Sequence, residues 1–197
     1  MKMYKLVVFD LDGTLYDKRG LSLRMVLHAP WDLMKMRAER QTRARMRGLW
    51  LGTENFVQTY NEQLAQRIGC SPLQAKEWYK QRYMPLMVKL IGKYQPLGEW
   101  VLPFVQDCQH KGIKMVVLSD YGFAKEKLQA LGLEPSLFDW VVSAPELGGL
   151  KPAAELMHHV AERMGVAIED CLVIGDREDT DGEMARCCGA QFRKVKY

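Results

Sequence analysis

No apolar run in this chain of 197 residues reaches the roughly 18 residues that a membrane-crossing helix needs. A helical membrane span is therefore excluded. The cysteine pattern of a stapled or zinc-bound module is also missing. The five cysteines, Cys70, Cys108, Cys171, Cys187 and Cys188, are odd in number. They form no CxxC pair and no Cys/His cluster of zinc spacing, so free thiols in a reducing cytoplasm are expected. There is no internal repeat and no low-complexity tract. Met1-Lys2-Met3-Tyr4 leads straight into a strand-like run, and no signal peptide is expected. Acidic residues are scarce in one stretch only. Residues 17–97 hold 6 Asp and Glu against 15 Lys and Arg, a net +9, whereas the remainder holds 18 against 13, a net −5. A basic segment thus interrupts an acidic body. It suits an anionic substrate or partner near that segment, or simply a set of solvated helix faces.

What is present is enough for a packed core, with 48% hydrophobic and 26% charged residues. The period of the hydrophobic pattern changes twice. Leu6 to Phe9 is strand-like, and the stretch from about Leu21 to Ile91 reads as helical. Within it, Ser71-Pro72-Leu73-Gln74 has the form of a capping box with proline at the first helical position, and Pro85 kinks or ends the helix that follows. After Pro96-Leu97-Gly98, helices and strands alternate. The pattern predicts a helix over 99–110, a strand over 113–119, a helix over 123–131 and a short strand over 140–142. It continues with a helix over 152–164, a strand over 171–175, a helix over 180–188 opened by a Thr180/Glu183 capping box, and a last strand over 191–195. Such alternation implies an α/β fold, with a parallel sheet covered by helices.

Four short signals stand at the ends of predicted strands or the starts of helices. Asp10-Leu11-Asp12-Gly13-Thr14 follows the first strand, and Ser119 closes the second. Lys151 precedes Pro152, and Asp176 follows Leu172-Val173-Ile174-Gly175, with Asp179 and Asp181 soon after. In a parallel sheet these positions converge on one edge. Their chemistry suits phosphoryl transfer, which needs a nucleophile, an acid/base, donors to the phosphoryl oxygens and charge compensation. Asp10 can attack phosphorus and Asp12 can move the proton. Thr14, Ser119 and Lys151 can hold phosphate oxygens. Asp10 and Asp176 with a backbone carbonyl suit Mg²⁺, a hard cation that prefers oxygen.

This ordered set resembles the haloacid dehalogenase superfamily. Asp10-Leu11-Asp12-Gly13-Thr14 matches its first motif, Ser119 its second, Lys151-Pro152 its third, and Gly175-Asp176 with Asp181 its fourth. The resemblance covers residues 4–16 and 98–197. It implies a Rossmann-like core built from residues 1–16 and 98–197, with residues 17–97 inserted as a helical cap. It also implies Mg²⁺ dependence, a phosphoaspartate on Asp10, and a metal held by Asp10, the backbone carbonyl of Asp12, Asp176 and Asp181. The expected activity is a cytoplasmic, Mg²⁺-dependent phosphatase acting on a small phosphorylated metabolite. A phosphomutase on the same scaffold and a non-catalytic, anion-binding regulatory protein are the alternatives. A dehalogenase would leave Asp12 idle, since it has no leaving alkoxide to protonate.

Some positions stay open in the sequence. Asp120 stands where many relatives carry Asn, and either Asp179 or Asp181 could face the metal. Arg37, Arg40 and Arg47 share a helix face. They form a funnel for substrate phosphate, a nucleic-acid stripe or a solvated face, and the solvated face is preferred to either of the others. The sequence sets neither the substrate nor an oligomeric state.

Overall fold

The computed structural model describes residues 4–197, so the first three residues of the expected 1–16 segment lie outside the described residues. Five strands form one sheet: β1 (Leu6–Phe9), β2 (Lys114–Ser119), β3 (Trp140–Ser143), β4 (Cys171–Gly175) and β5 (Gln191–Lys194). Their spatial order is β3-β2-β1-β4-β5 and every pairing is parallel. β1 is central, and all four of its residues are buried. Successive side chains of a strand point to opposite faces, and both faces here carry core. Val7 and Phe9 pack into one cluster with Val117, Ile174 and Leu128. Leu6 and Val8 pack into the other with Leu118, Val173 and Leu156.

The chain leaves β1 toward β2 on one side and later returns to β4 on the other. The carboxyl end of β1 is therefore the switch point, where the crevice of an open α/β sheet forms.

Between β1 and β2 the chain is helical. The elements are α1 (Leu21–His28), α2 (Leu33–Met46), α3 (Thr53–Ile68), α4 (Pro72–Trp78), α5 (Met84–Tyr94) and α6 (Val101–His110). The Ser71 capping box forms, with Gln74 N donating to Ser71 Oγ at 3.2 Å and Ser71 N donating to Gln74 Oε1 at 3.0 Å. α4 gives way at Trp78 to a wide turn over Tyr79–Tyr83, and Pro85 stands in the first turn of α5 that follows it. The two connectors to the sheet run side by side, with Gly98 N donating to the Leu15 carbonyl at 2.8 Å. Among the described residues no helix is long and apolar enough to cross a membrane.

The remaining helices are α7 (Ala124–Ala130), the single turn α8 (Ala144–Leu147), α9 (Ala154–Met164) and α10 (Glu183–Cys188). Two expected helix starts are corrected. Lys151 and Pro152 form a turn and α9 begins at Ala154, because Lys151 is drawn inward by carboxylates. The Thr180/Glu183 capping box does not form. Residues Glu178–Gly182 wind as a wide turn with Thr180 and Asp181 buried, and α10 starts only at Glu183.

Candidate active site

Asp10 directly follows β1, its N–H donating to the Ile174 carbonyl at 2.8 Å. Both carboxylate oxygens are engaged. Thr14 Oγ1 donates to Oδ2 at 2.7 Å, and Lys151 Nζ donates to Oδ1 at 2.7 Å. The same ammonium donates to Asp181 Oδ1 at 2.7 Å. Asp10, Asp176 and Asp181 each offer a carboxylate oxygen, and these oxygens lie within 4.8 Å of one another. Three acids so close repel, and burial strengthens the repulsion. Burial and the neighbouring Asp181 push the Asp10 carboxyl up, against the pull of Lys151. Lys151 is only 2% exposed, and its carboxylate neighbours outweigh burial to keep it firmly protonated. The approach of Asp181 depends on Gly175, since a Cβ there would meet Asp181 Cγ at 2.4 Å.

Asp12 sits in a different environment. Lys127 Nζ donates to its Oδ1 and Oδ2 at 2.7 and 2.8 Å, Tyr16 OH to Oδ1 at 2.6 Å, and Ser119 Oγ to Oδ2 at 2.9 Å. Burial acts to raise this carboxyl. The Lys127 charge and the three sets of hydrogen bonds outweigh it and hold Asp12 below the usual carboxylate range. Sequence reasoning missed Lys127. Its signal was a polar residue at the i+3 position of an apolar helical stripe, Ala124, Leu128 and Leu131.

The loop after β2 carries the second motif. Ser119 Oγ also accepts from Tyr121 N at 3.1 Å, so its hydroxyl orients both the loop and Asp12. Asp120 Oδ1 accepts the backbone N–H of Lys151 at 3.0 Å and so helps to seat the third motif, a bond that Asn would make equally well. From α2, Arg43 donates to the Asp120 carbonyl and stacks 3.9 Å from the Tyr121 ring centroid. Arg43 also pairs with the fully buried Glu39, which accepts further bonds from Tyr60 and Tyr83 at 2.7 and 3.2 Å. Neither Glu39 nor Arg43 stood out in the sequence, where both lie within a run of arginines.

Asp181, not Asp179, joins the acid cluster. Asp179 pairs with Arg177 at 2.7 Å and with Arg47 at 2.6 Å. Arg47 thereby shares an acid partner with Arg177, whereas Arg37 and Arg40 have no ion-pair partner among the described residues. All three line the same cavity of about 780 Å³ as Asp10, Lys151 and Asp176.

Lys18 also reaches this cavity. Its Nζ donates to Asp176 Oδ2 at 2.6 Å and to the backbone carbonyl of Asp12 at 3.0 Å. One cation thus already bridges two of the oxygens expected to hold a metal. The donor set is entirely oxygen and carries several negative charges, which fits a hard divalent cation.

The sequence profile of the haloacid dehalogenase-like hydrolases matches residues 4–189. The chain is 29% identical over 182 residues to the protein SUPPRESSOR OF QUENCHING 1, chloroplastic, of Arabidopsis thaliana, covering 86% of this chain but only 16% of that much longer protein. It is 26% identical over 219 residues to the glyceraldehyde 3-phosphate phosphatase of Methanocaldococcus jannaschii, covering 99% of this chain and 87% of that one. In fold it is similar to the L-2-haloacid dehalogenase of Xanthobacter autotrophicus, with a TM-score of 0.65 at 20% identity over 98% of this chain and 78% of that one. It is equally similar to CbbY of Rhodobacter sphaeroides, whose crystal structure is a complex with phosphate, with a TM-score of 0.65 at 18% identity over 99% and 88%. The family match spans β1 through α10 and every residue of the acid cluster, and so the chain belongs to the haloacid dehalogenase-like hydrolases.

Proposed function

We propose that this hydrolase is a Mg²⁺-dependent phosphatase that acts on a small phosphorylated metabolite through an aspartyl-phosphate on Asp10. The observation that carries the reading is the division between two carboxylates on one strand end. Asp10 shares Lys151 with the acid cluster, while Asp12 is held by Lys127, Tyr16 and Ser119. Two carboxylates in such different surroundings suit two different roles. In the first half-reaction an Asp10 oxygen attacks phosphorus, the P–O ester bond breaks, and the leaving oxygen takes a proton from Asp12. In the second, water attacks the phosphorus of the acyl phosphate and gives its proton to the Asp12 carboxylate. Inorganic phosphate leaves and Asp10 is restored. Asp12 rests ionised, so it takes a proton from solvent before the first half and returns one to solvent after the second. Esters with acidic leaving groups need no proton in the first half, so they are the faster substrates.

Lys151 supplies a donor to the phosphoryl oxygens, and the Ser119 and Thr14 hydroxyls, which donate to Asp12 and Asp10 in the free protein, turn toward them to do the same. Asp10, Asp176, Asp181 and the Asp12 carbonyl would hold Mg²⁺, which when bound offsets the charge gathered between Asp10 and the phosphoryl group. Residues 17–97 act as a cap on a core of residues 1–16 and 98–197. Met25, Met36 and Met87 wall the cavity opposite the acids, which supports a role in excluding water. The resemblance to the archaeal phosphatase supports a phosphomonoester as substrate. Five free cysteines support a reducing, cytoplasmic setting. The test is a panel of phosphorylated metabolites. Phosphate release from at least one of them, silenced by chelator and restored by Mg²⁺, is expected. No release from any of them would contradict the reading.

A further inference from the structure

We propose that Lys18 is a built-in counter-ion that competes with the divalent cation for the oxygens of Asp12 and Asp176, so that cation binding requires this side chain to swing out. The inference rests on the metal reading given above. Its basis is a shared seat. The Lys18 ammonium donates to the Asp12 carbonyl at 3.0 Å and to Asp176 Oδ2 at 2.6 Å. An ammonium N–H and a metal ion use the same oxygen lone pairs, and two cations do not share them. The seat itself is made by Gly13. A Cβ there would come within 2.6 Å of Asp176 Oδ2 and 2.7 Å of Lys18 Nζ. Gly13 also has φ +102°, a conformation that L side chains rarely adopt. The backbone is therefore shaped to leave room for a positive charge between these two oxygens.

The two lysines of the site differ in their freedom. Lys151 is 2% exposed and fixed between Asp10 and Asp181. The Lys18 side chain is 44% exposed and anchored at these two oxygens alone, so it can leave for solvent. Its neighbour Arg19 does not compete for the seat, because it is tied to Asp17 at 2.6 Å. When Lys18 is seated, its single charge relieves part of the repulsion among three carboxylates that burial makes costly. A divalent ion offers twice the charge to the same oxygens and displaces it. The consequence is a lower cation affinity than the acids alone would give, and a site that keeps its shape when the ion departs.

The test is Mn²⁺ binding followed by the electron paramagnetic resonance of the free ion. It compares the full chain with Lys18→Met, Arg19→Met and Asp176→Asn, with a thermal melt of each to confirm folding. Lys18→Met keeps the apolar stem and removes the competitor. It is expected to bind Mn²⁺ about 1.5- to fivefold tighter, the range set by a partly exposed ion pair. Arg19→Met removes the same charge one residue away and is expected to change affinity far less. Asp176→Asn is expected to bind poorly. Unchanged or weaker binding in Lys18→Met overturns the counter-ion role while leaving the metal site intact. An equal gain in Arg19→Met overturns it in favour of a general field effect. Undiminished binding in Asp176→Asn places the cation elsewhere and overturns the metal reading as well.

Discussion

Lys127 grips both carboxylate oxygens of Asp12, at 2.7 and 2.8 Å, from a position with no solvent exposure. Removing one partner of a buried pair strands the other, at a cost of about 3–5 kcal/mol. Lys127→Met should therefore lower stability to chemical denaturation by roughly that amount. Adding Asp12→Asn should recover at least about 1 kcal/mol, because a neutral amide tolerates the loss better. Strict additivity in this double-mutant cycle would mean that the pair is not coupled.

The same pair sets a pH dependence. Asp12 titrates below its unfolded value, so its contribution to stability is complete above that value and disappears as pH falls through the folded one. Without Lys127, burial raises the Asp12 carboxyl, so the stability gap between the parent and Lys127→Met should be constant only above that raised value and shrink as pH falls below it. Equilibrium denaturation across this range reads the gap directly, and a gap that widens in acid would contradict the assignment.

Arg37 and Arg40 line the cavity with no acid partner among the described residues, unlike Arg47, which pairs with Asp179. Replacing both with Gln should lower kcat/KM at low salt and leave kcat nearly unchanged. Added salt should close the difference, since screening lengths fall to about 8 Å at physiological ionic strength. Arg47→Gln should do much less. If the double variant matches the parent at low salt, the stripe is only a solvated face.

The cysteines offer a test of the fold that does not depend on activity. Burial pushes the thiols of Cys108 and Cys171 up to about 11, whereas Cys187 is exposed. Brief alkylation near neutral pH, followed by peptide mass mapping, should label Cys187 and spare the other two. Labelling of Cys108 at a similar rate would contradict the packing of α6.

Much of this was legible in the sequence because it is local. Val7-Val8-Phe9 is apolar without alternation, as a strand buried on both faces must be, and the acids that follow it fall at the sheet edge by geometry alone. The convergence of Asp10, Lys151 and Asp176 followed from positions at the edge of a parallel sheet, whereas the choice of Asp181 over Asp179 needed the structure. What stayed hidden is tertiary. Lys18 looks like any loop lysine until Asp176, 158 residues away, receives it. Lys127 follows Lys125 and Glu126 on its helix, and only the partner Asp12 explains its burial. Thr180 has the sequence of a helix cap, but the inward pull of Lys151 on Asp181 winds that turn differently.

The central claim is that Asp10 carries the phosphoryl group. The direct measurement is acid quench during turnover of the best substrate, followed by mass mapping of the peptide that contains Asp10. The expected result is a fraction of that peptide heavier by one phosphoryl group, absent in Asp10→Asn together with turnover. An unmodified Asp10 peptide during steady turnover, or substantial activity in Asp10→Asn, would contradict it.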